Sequence, residues 1–501
     1  MLPRAAAVLT IYWMLIYIYR ITLHPLAKIP GPKLAGMTFW YELYYDLYPH
    51  RCRYLFKIRE LHERYGPIVR INPIHVHIND PDYIDEIYTA GNKRRRNRDP
   101  WFLHISKAGM MTWSLLHTED HDLHRIRRAA LAPFFSRRAI VALQGLIIDK
   151  IERLCCRFSE LHQSGEVVDI TYAMAALTMD VISAYSLGID TDCLGKPDWS
   201  PNWLDAFRQA GYIRPLARQF KWIINPILMA ISPDFIQRFD PATAELSRTI
   251  TYPLEKIQAS ERERQAAGGE AAKLSTNTRT VLQNLLESDL PPEEKLPERL
   301  SCEVAGLLGA GTEGTARTLA ITLFYIYDNP KLLKKLREEL RTVMPKPDSH
   351  TSIEALENLP YFNAAMTEGL RMSHGASSRM PRIATDEDLV YQKWVIPRGY
   401  PVMQSMYLHH TNPKIFPAPL EFKPERWLED PILKAKYFLA WGRGARNCVG
   451  MNLAHAEVYH AVAILISRFE ITSYDTDRKR DVEVSRDGFI GMPAADSPGI
   501  R

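Results

Sequence analysis

The stretch "AWGRGARNCVG", residues 440–450, sets one cysteine, Cys448, among three glycines and two arginines, and the apolar run "MNLAHAEVYHAVAILISRF" follows at once. On its own, a cysteine beside an apolar helix reads as a small buried hydrophobe. The neighbours favour chemistry. Gly442, Gly444 and Gly450 allow close approaches that side chains forbid. The start of a helix places free N–H groups and positive dipole beside Cys448, which favours the thiolate, and Arg446 adds a cation. The other cysteines, Cys52, Cys155, Cys156, Cys193 and Cys302, form no C-x-x-C pair with it. A lone thiolate in a glycine loop suits a single metal bond rather than a cluster.

Other constellations carry charge or unusual backbone. "TEGLR" sets Glu368 and Arg371 three apart on one helical face, where an exposed ion pair is the plain reading. "FKPERW" then supplies Arg426, ahead of Cys448. "HDLHRIRRAALAPFFS" holds His124, Arg125, Arg127 and Arg128, and its plain reading is a solvated basic face. "SSRMPRIA" offers Arg382. "GLLGAGTEGTARTLA" is patterned as helix yet contains Gly306, Gly309, Gly311 and Gly314. At ~1 kcal/mol each against alanine, these weaken an isolated helix by about 4 kcal/mol. Tight helix packing explains them, and so does a flat ligand lying against the helix.

Taken in order, these motifs resemble the cytochrome P-450 superfamily over roughly residues 25–495. Its haem loop, F-x-x-G-x-R-x-C-x-G, is matched at Gly444, Arg446, Cys448 and Gly450, with Trp441 in place of the usual Phe. The resemblance implies haem b with Cys448 as axial ligand of the iron, an indole covering the thiolate side, and Arg446 on a haem propionate. It implies that Glu368, Arg371 and Arg426 meet in a buried triad that locks the haem loop. The "HDLHR" segment is similar to a W-x-x-x-R helix, so His124 and Arg128 are expected to face the propionates, with Arg382 as a further contact and Arg125 and Arg127 solvated. Such a basic face suits an acidic reductase domain. The family pattern A/G-G-x-D/E-T-T falls on residues 310–315, so Glu313 stands as the acid while Gly314 replaces the first Thr. That Thr helps deliver a proton for cleavage of oxygen. Thr315, a water or a substrate hydroxyl is expected in the missing role, although Thr315 lies ~100° round a regular helix from position 314. Loop wording and "GMNLAHAE" are similar to filamentous-fungal members of secondary metabolism, trichodiene-oxygenase-like ones among them.

These side chains need a scaffold. From about residue 120 to 345 most segments read as helices, with a polar loop from Ala259 to Thr280. "YGPIVRINPIHVHIND" alternates as a hairpin. Short strands return at "DLVYQKWVIPRGYPV", where Ile396 to Gly399 forms a turn. The expected fold is mainly α with small β-sheets (α+β): one large haem domain of the P-450 fold. Residues 1–23 are expected as a transmembrane anchor, 24–49 as a stiff proline-rich hinge with Pro25, Pro30 and Pro32, and 50–501 as the haem-thiolate catalytic domain.

The chain of 501 residues is 46% hydrophobic and 24% charged, with net charge +5, too mild a balance for a dedicated nucleic-acid binder. Sparse cysteines indicate a reducing compartment. Ala5 to Tyr19 carries no charge between Arg4 and Arg20. That run is short of the ~20 residues of a span, but continuing to Leu23 with Arg20 snorkelling makes one. The bulky "YIYRI" exit disfavours a cleaved signal peptide. Arg20, Lys28 and Lys33 favour a single pass in the endoplasmic reticulum membrane with a cytosolic body; Arg4 counts the other way.

The expected activity is that of a monooxygenase: R–H, O2, two electrons and two protons give R–OH and water. The substrate is expected to be lipophilic, a terpenoid or polyketide, entering near "WIINPILMAISPDF". Electrons are expected from NADPH through a separate cytochrome reductase flavoprotein, the chain ending soon after the haem helix. Two alternatives stay open at this stage: a same-fold enzyme that rearranges or dehydrates its substrate without external oxygen, and a non-enzymatic haem sensor.

Overall fold

The helix Pro297–Tyr327, called the central helix below, sets the frame. Pro297 suits the first turn, where its missing N–H costs nothing. The helix packs mainly against Ile170–Leu187, and also against Pro360–Ser373 and Met451–Arg468. Its glycines serve part of this packing. A Cβ at Gly311 would lie 2.8 Å from Ile182 Cγ1, and one at Gly306 would lie 3.1 Å from Ser114 Cβ. Across the next interface, a Cβ at Gly369 would collide with Thr322 Oγ1. The glycine of "TEGLR" therefore brings Glu368 and Arg371 close under the central helix.

The computed structural model describes residues 2–47, 49–91, 94–103, 111–200, 202–230, 238 and 280–501. The polar loop expected at 259–280 lies outside them except for Thr280, which caps the helix Val281–Glu287 with a capping box to Gln283. Of the expected lipophilic entry region, residues up to Ala230 are described. They close the helix Lys221–Ala230, whose Trp222 and Ile227 are exposed.

The two strand regions meet in one sheet, where the end of the second region lies parallel to the first hairpin. β1 (Ile68–Arg70) and β2 (Val76–Ile78) pair antiparallel, as the hairpin pattern predicts. β3 (Arg96–Arg98) pairs with β4 (Arg382–Ala384), and the order across the five-stranded sheet is β1-β2-β7-β4-β3, with β7 at Pro401–Met403. β5 (Leu389–Tyr391) and β6 (Trp394–Ile396) form a hairpin of their own, as do β8 (Arg486–Asp487) and β9 (Gly491–Met492). The register places Arg98 directly opposite Arg382.

At the N-terminus, Leu2–Thr22 is one helix. Its stretch Pro3–Thr22 is long and apolar enough to cross a membrane and is unburied. Ile170–Leu187 is also that apolar, but 83% of it is buried; it is the core partner of the central helix. The proline-rich stretch, expected as a stiff hinge, lies against the body at its start. Leu26 and Ile29 are buried in the cluster formed by Ile68, Val76 and Val402, and Arg70 N donates to Pro30 O at 2.7 Å. Apolar residues between the prolines give that segment a face to bury.

Candidate active site

Two glycines in the left-handed region shape the cysteine loop: Gly442 at φ +71° and Gly444 at φ +74°. A Cβ at Gly444 would strike the carbonyl oxygens of Tyr88 and Thr89, and Ala445 N donates to that Thr89 oxygen at 2.9 Å. Cys448 N donates to Trp441 O at 2.8 Å, closing the loop so that Trp441 and Cys448 line one cavity. The Cys448 side chain is enclosed by protein yet has open surface, because it faces this cavity and not bulk water. Burial pushes the thiol above its ordinary value; the Gly450 N–H and Arg128 pull it the other way. The cation acting on the thiol is Arg128, not Arg446, and the helix start alone does not make a thiolate. A bound metal reverses that balance, since a coordinating thiol is deprotonated outright.

Under the central helix, Glu368, Arg371 and Arg426 come together. Glu368 accepts from Arg371 Nη2 and Nε at 2.7 and 2.8 Å, and from Arg426 Nε at 3.0 Å. Trp427 Nε1 and Lys423 N complete its shell at 2.9 and 3.0 Å. Glu368 and Arg371 are 0% exposed, so each charge depends on the others. The triad reaches the cysteine loop through His410: Arg371 Nη1 donates to His410 O at 2.9 Å, and His410 Nε2 accepts from Leu439 N at 3.1 Å.

The cavity end nearest β3 is strongly cationic. Arg98, Arg128, Arg382, Arg446 and His124 all line it. Like charges opposite one another across a ladder repel, and Arg98 and Arg382 are such a pair with no carboxylate partner among the described residues. Burial, then Arg382 and Arg446, holds the Arg98 guanidinium well below its ordinary value. Burial and Arg382 bring Arg446 to about 9. Burial and the four arginines bring His124 to about 2, so its imidazole is neutral. The five groups do not play one role. Arg128 donates to Asn447 O and Oδ1 at 2.7 and 2.6 Å, and Arg446 donates to the carbonyls of Thr118, Glu119 and Asp120. Arg128 ties the cysteine loop to the helix His121–Leu131, and Arg446 ties it to the segment just before that helix. Arg98, Arg382 and His124 make no side-chain ion pair among the described residues. A cluster of this kind is stable around a dianion. The two propionates of haem b would meet that need, with the Cys448 thiolate available to hold the iron. Among the described residues no group of three His, Cys, Asp or Glu side chains could hold a metal ion by itself.

The remaining wall, around a cavity of about 310 Å³, is mostly apolar: Leu115, Ile182, Leu307, Ala376, Phe489 and Ile490. Gly314 and Thr315 both line it. A Cβ at Gly314 would meet only Ile490 Cδ1, at 3.8 Å, so this glycine faces open space while Gly306 and Gly311 also serve packing. Despite its helical offset Thr315 reaches the wall, and its hydroxyl has no partner among the described residues. Thr312 turns away and donates to Leu308 O at 2.6 Å. Glu313 is not on this wall. It lies in a separate pocket of about 10 Å³ with Arg208 and Arg317, where burial raises its pKa and Arg208 is the largest opposing influence.

Three residues here escape a sequence reading. Arg98 sits in "NKRRRNRDP", where a run of charges reads as solvated surface; only the strand alternation of Arg96 and Arg98 hints at burial. Trp427 reads as an apolar residue, yet its N–H serves Glu368. Arg127, expected to be solvated, is buried and holds Glu294 through Nε and Nη2 at 2.7 and 2.8 Å. A helix whose opposite sides both carry arginine cannot show by spacing alone which side meets a glutamate about 170 residues later.

The sequence profile of the family described as Cytochrome P450 matches residues 31–494. The cytochrome P450 monooxygenase MO6277 of Ascocoryne sarcoides is 37% identical, over 98% of this chain and 96% of its own. The cytochrome P450 monooxygenase TRI4 of Trichoderma arundinaceum is 38% identical, over 98% of this chain and 92% of its own. For the cytochrome P450 monooxygenase oblB of Cochliobolus heterostrophus the figures are 37%, 97% and 92%. Likeness at this level along both chains, with a cysteine loop and an anion-seeking arginine cluster on one cavity, means that the chain belongs to the cytochrome P450 family and is a haem-thiolate monooxygenase.

Proposed function

We propose that this enzyme, anchored in the endoplasmic reticulum membrane by its first helix, inserts one oxygen atom from O2 into a lipophilic intermediate of fungal secondary metabolism, a terpenoid or polyketide. The observation that carries the reading is the apolar wall of Leu115, Ile182, Leu307, Phe489 and Ile490 above a cavity that also holds Cys448. Burying apolar ligand surface at about 25 cal/mol per Å² is the main source of affinity such a wall offers. Bound haem supplies oxygen activation with electrons from NADPH through a separate reductase. The chain's own residues shape the pocket, keep water from the substrate and hold protons. The test is incubation of microsomes from an expressing strain with candidate terpenoids and polyketides, read by mass. The expected product is one oxygen heavier, and it carries label when the gas is labelled O2.

Gly314 favours a second reading, an oxygen-independent rearrangement, because it brings no hydroxyl to the oxygen side. The two readings part on one measurement: product formed at an undiminished rate without O2 or NADPH overturns the monooxygenation. Within the first reading, Thr315 carries a hydroxyl on this wall with no partner among the described residues. Thr315→Ala is expected to release more peroxide per NADPH, whereas Gly314→Thr, for which the cavity has room, is expected to release less. Unchanged coupling in Thr315→Ala removes Thr315 from the proton path.

The anchor reading rests on the unburied stretch Pro3–Thr22. Twenty residues of helix span about 30 Å, the thickness of a bilayer's hydrocarbon core. Deleting residues 2–23 is expected to shift most of the protein out of the alkaline-washed membrane pellet with haem still bound. Complete pelleting of the deleted form would show that another surface holds the membrane.

A further inference from the structure

One turn beyond Gly314, a pair of hydroxyls faces the same cavity. Thr318 and Ser373 both line it, and both are buried. Thr318 Oγ1 lies 2.9 Å from Gly314 O and 2.9 Å from Ser373 Oγ, and Ser373 Oγ lies 2.9 Å from Leu370 O. Each hydroxyl carries one proton, so two protons serve three gaps. When Ser373 donates to Leu370 O and Thr318 donates to Ser373, the second lone pair of Gly314 O has no proton. When Thr318 donates to Gly314 O, it can accept from Ser373 or from a third group. The Thr318 hydroxyl can therefore turn its proton toward or away from Gly314 without either side chain moving.

Position 318 lies about 40° round the helix from 314 and about 6 Å along it. Thr318 thus shares the face on which Gly314 leaves open space. A buried water needs 2–4 polar partners. The free hydroxyl of Thr315 and the reorienting one of Thr318 line this stretch of wall together. We propose that Thr318, seated by Ser373, is the positioning residue that holds a proton-carrying water in the space left by Gly314, so that reduction of O2 proceeds to O–O cleavage and not to release of peroxide. This rests on the oxygen-dependent reading above.

The balance makes the proposal measurable without knowing the substrate. Peroxide release is O2 + NADPH + H+ giving H2O2 + NADP+. Cleavage without substrate is O2 + 2 NADPH + 2 H+ giving 2 H2O + 2 NADP+. Full-length holoenzyme with reductase and NADPH, and no added substrate, is assayed for NADPH, O2 and peroxide together. A residue acting through a water should matter less than a general acid itself, so Thr318→Val is expected to lower the water-to-peroxide ratio on the order of tenfold. Thr318→Ser is expected to restore it, and Ser373→Ala to shift it in the same direction as Thr318→Val. Crystals of holoenzyme should show a water within about 3.2 Å of Thr318 Oγ1 beside Gly314, lost in Thr318→Val. A wild-type ratio in both Thr318→Val and Ser373→Ala, or a water unmoved in Thr318→Val, overturns the role of Thr318 and leaves the monooxygenase reading standing. Absence of NADPH-dependent O2 uptake by wild type overturns both. If Thr318→Val loses haem, Ser373→Ala and Thr318→Ser decide the matter by the same ratio.

Discussion

In Cys448→Ala the reduced carbon monoxide complex is expected to lose its red-shifted Soret band altogether. That band reports a thiolate opposite the carbon monoxide, and Cys448 is the cysteine on the cavity wall. Cys52, Cys155 and Cys193 are buried elsewhere, where burial pushes their thiols up to about 12, and neither Cys156 nor Cys302 lines this cavity. Haem content should fall less than the band does, because Arg98 and Arg382 would still pair with the propionates independently of the iron. Whatever haem remains should absorb where a neutral axial ligand, or none, puts it. Monooxygenation should fall to background in the same protein. A red-shifted band of wild-type strength in this variant would falsify the assignment of the ligand.

Glu368→Ala should be nearly as severe by a different route. Removing the carboxylate leaves two guanidinium groups, at 0% and 5% exposure, with no anion. Breaking a buried ion network by removing one partner typically costs about 3–5 kcal/mol, a large share of the roughly 5–15 kcal/mol that holds a protein folded. The loss is transmitted to the haem loop, because Arg371 also anchors His410, whose ring accepts from Leu439 two residues before Trp441. Purified Glu368→Ala is therefore expected to carry little haem and to melt well below wild type. Arg371→Ala and Arg426→Ala should follow, Arg371→Ala the more strongly because both of its Glu368 contacts are lost along with those to His410 and Pro419. Full haem occupancy in all three variants would show that the triad does not hold the loop.

Much of the site was visible in the sequence because its chemistry is local. A glycine loop, a cysteine and a helix start occupy eleven consecutive residues, and Glu368 and Arg371 share one helix turn. What escaped notice depends on distant partners. Strands of three residues give only a hint of a period of two, so "NKRRRNRDP" does not tell which arginine will face Arg382. The proline spacing of residues 24–49 indicates stiffness, but whether that segment stands free depends on Leu26 and Ile29 finding a sheet. Glu313 was read from a pattern in which the acid precedes the alcohol; the helix rotates it into a pocket with Arg208, on an element that packs there only in three dimensions. Thr318 and Ser373 are ordinary hydroxyls in sequence and become a pair through the close crossing that Gly369 permits.

The antiparallel pairing of β3 with β4 has a consequence in time. Arg98 and Arg382 meet across a single ladder, yet a ribosome working at about 5–20 residues per second needs on the order of 15–60 s to synthesise the chain between them. During that interval β3 has an unfilled edge and its buried arginines have no opposite strand. Contacts of such long sequence separation form late, because the chain must first close a large loop. Cys448 emerges later still. A haem that needs Arg98, Arg382 and Cys448 together would thus be captured only at the end of synthesis or after it, when an anionic cofactor first meets both arginines and the thiol at once. A cell short of haem at that moment would accumulate a chain whose two like charges face each other with nothing between them, a ready substrate for quality control.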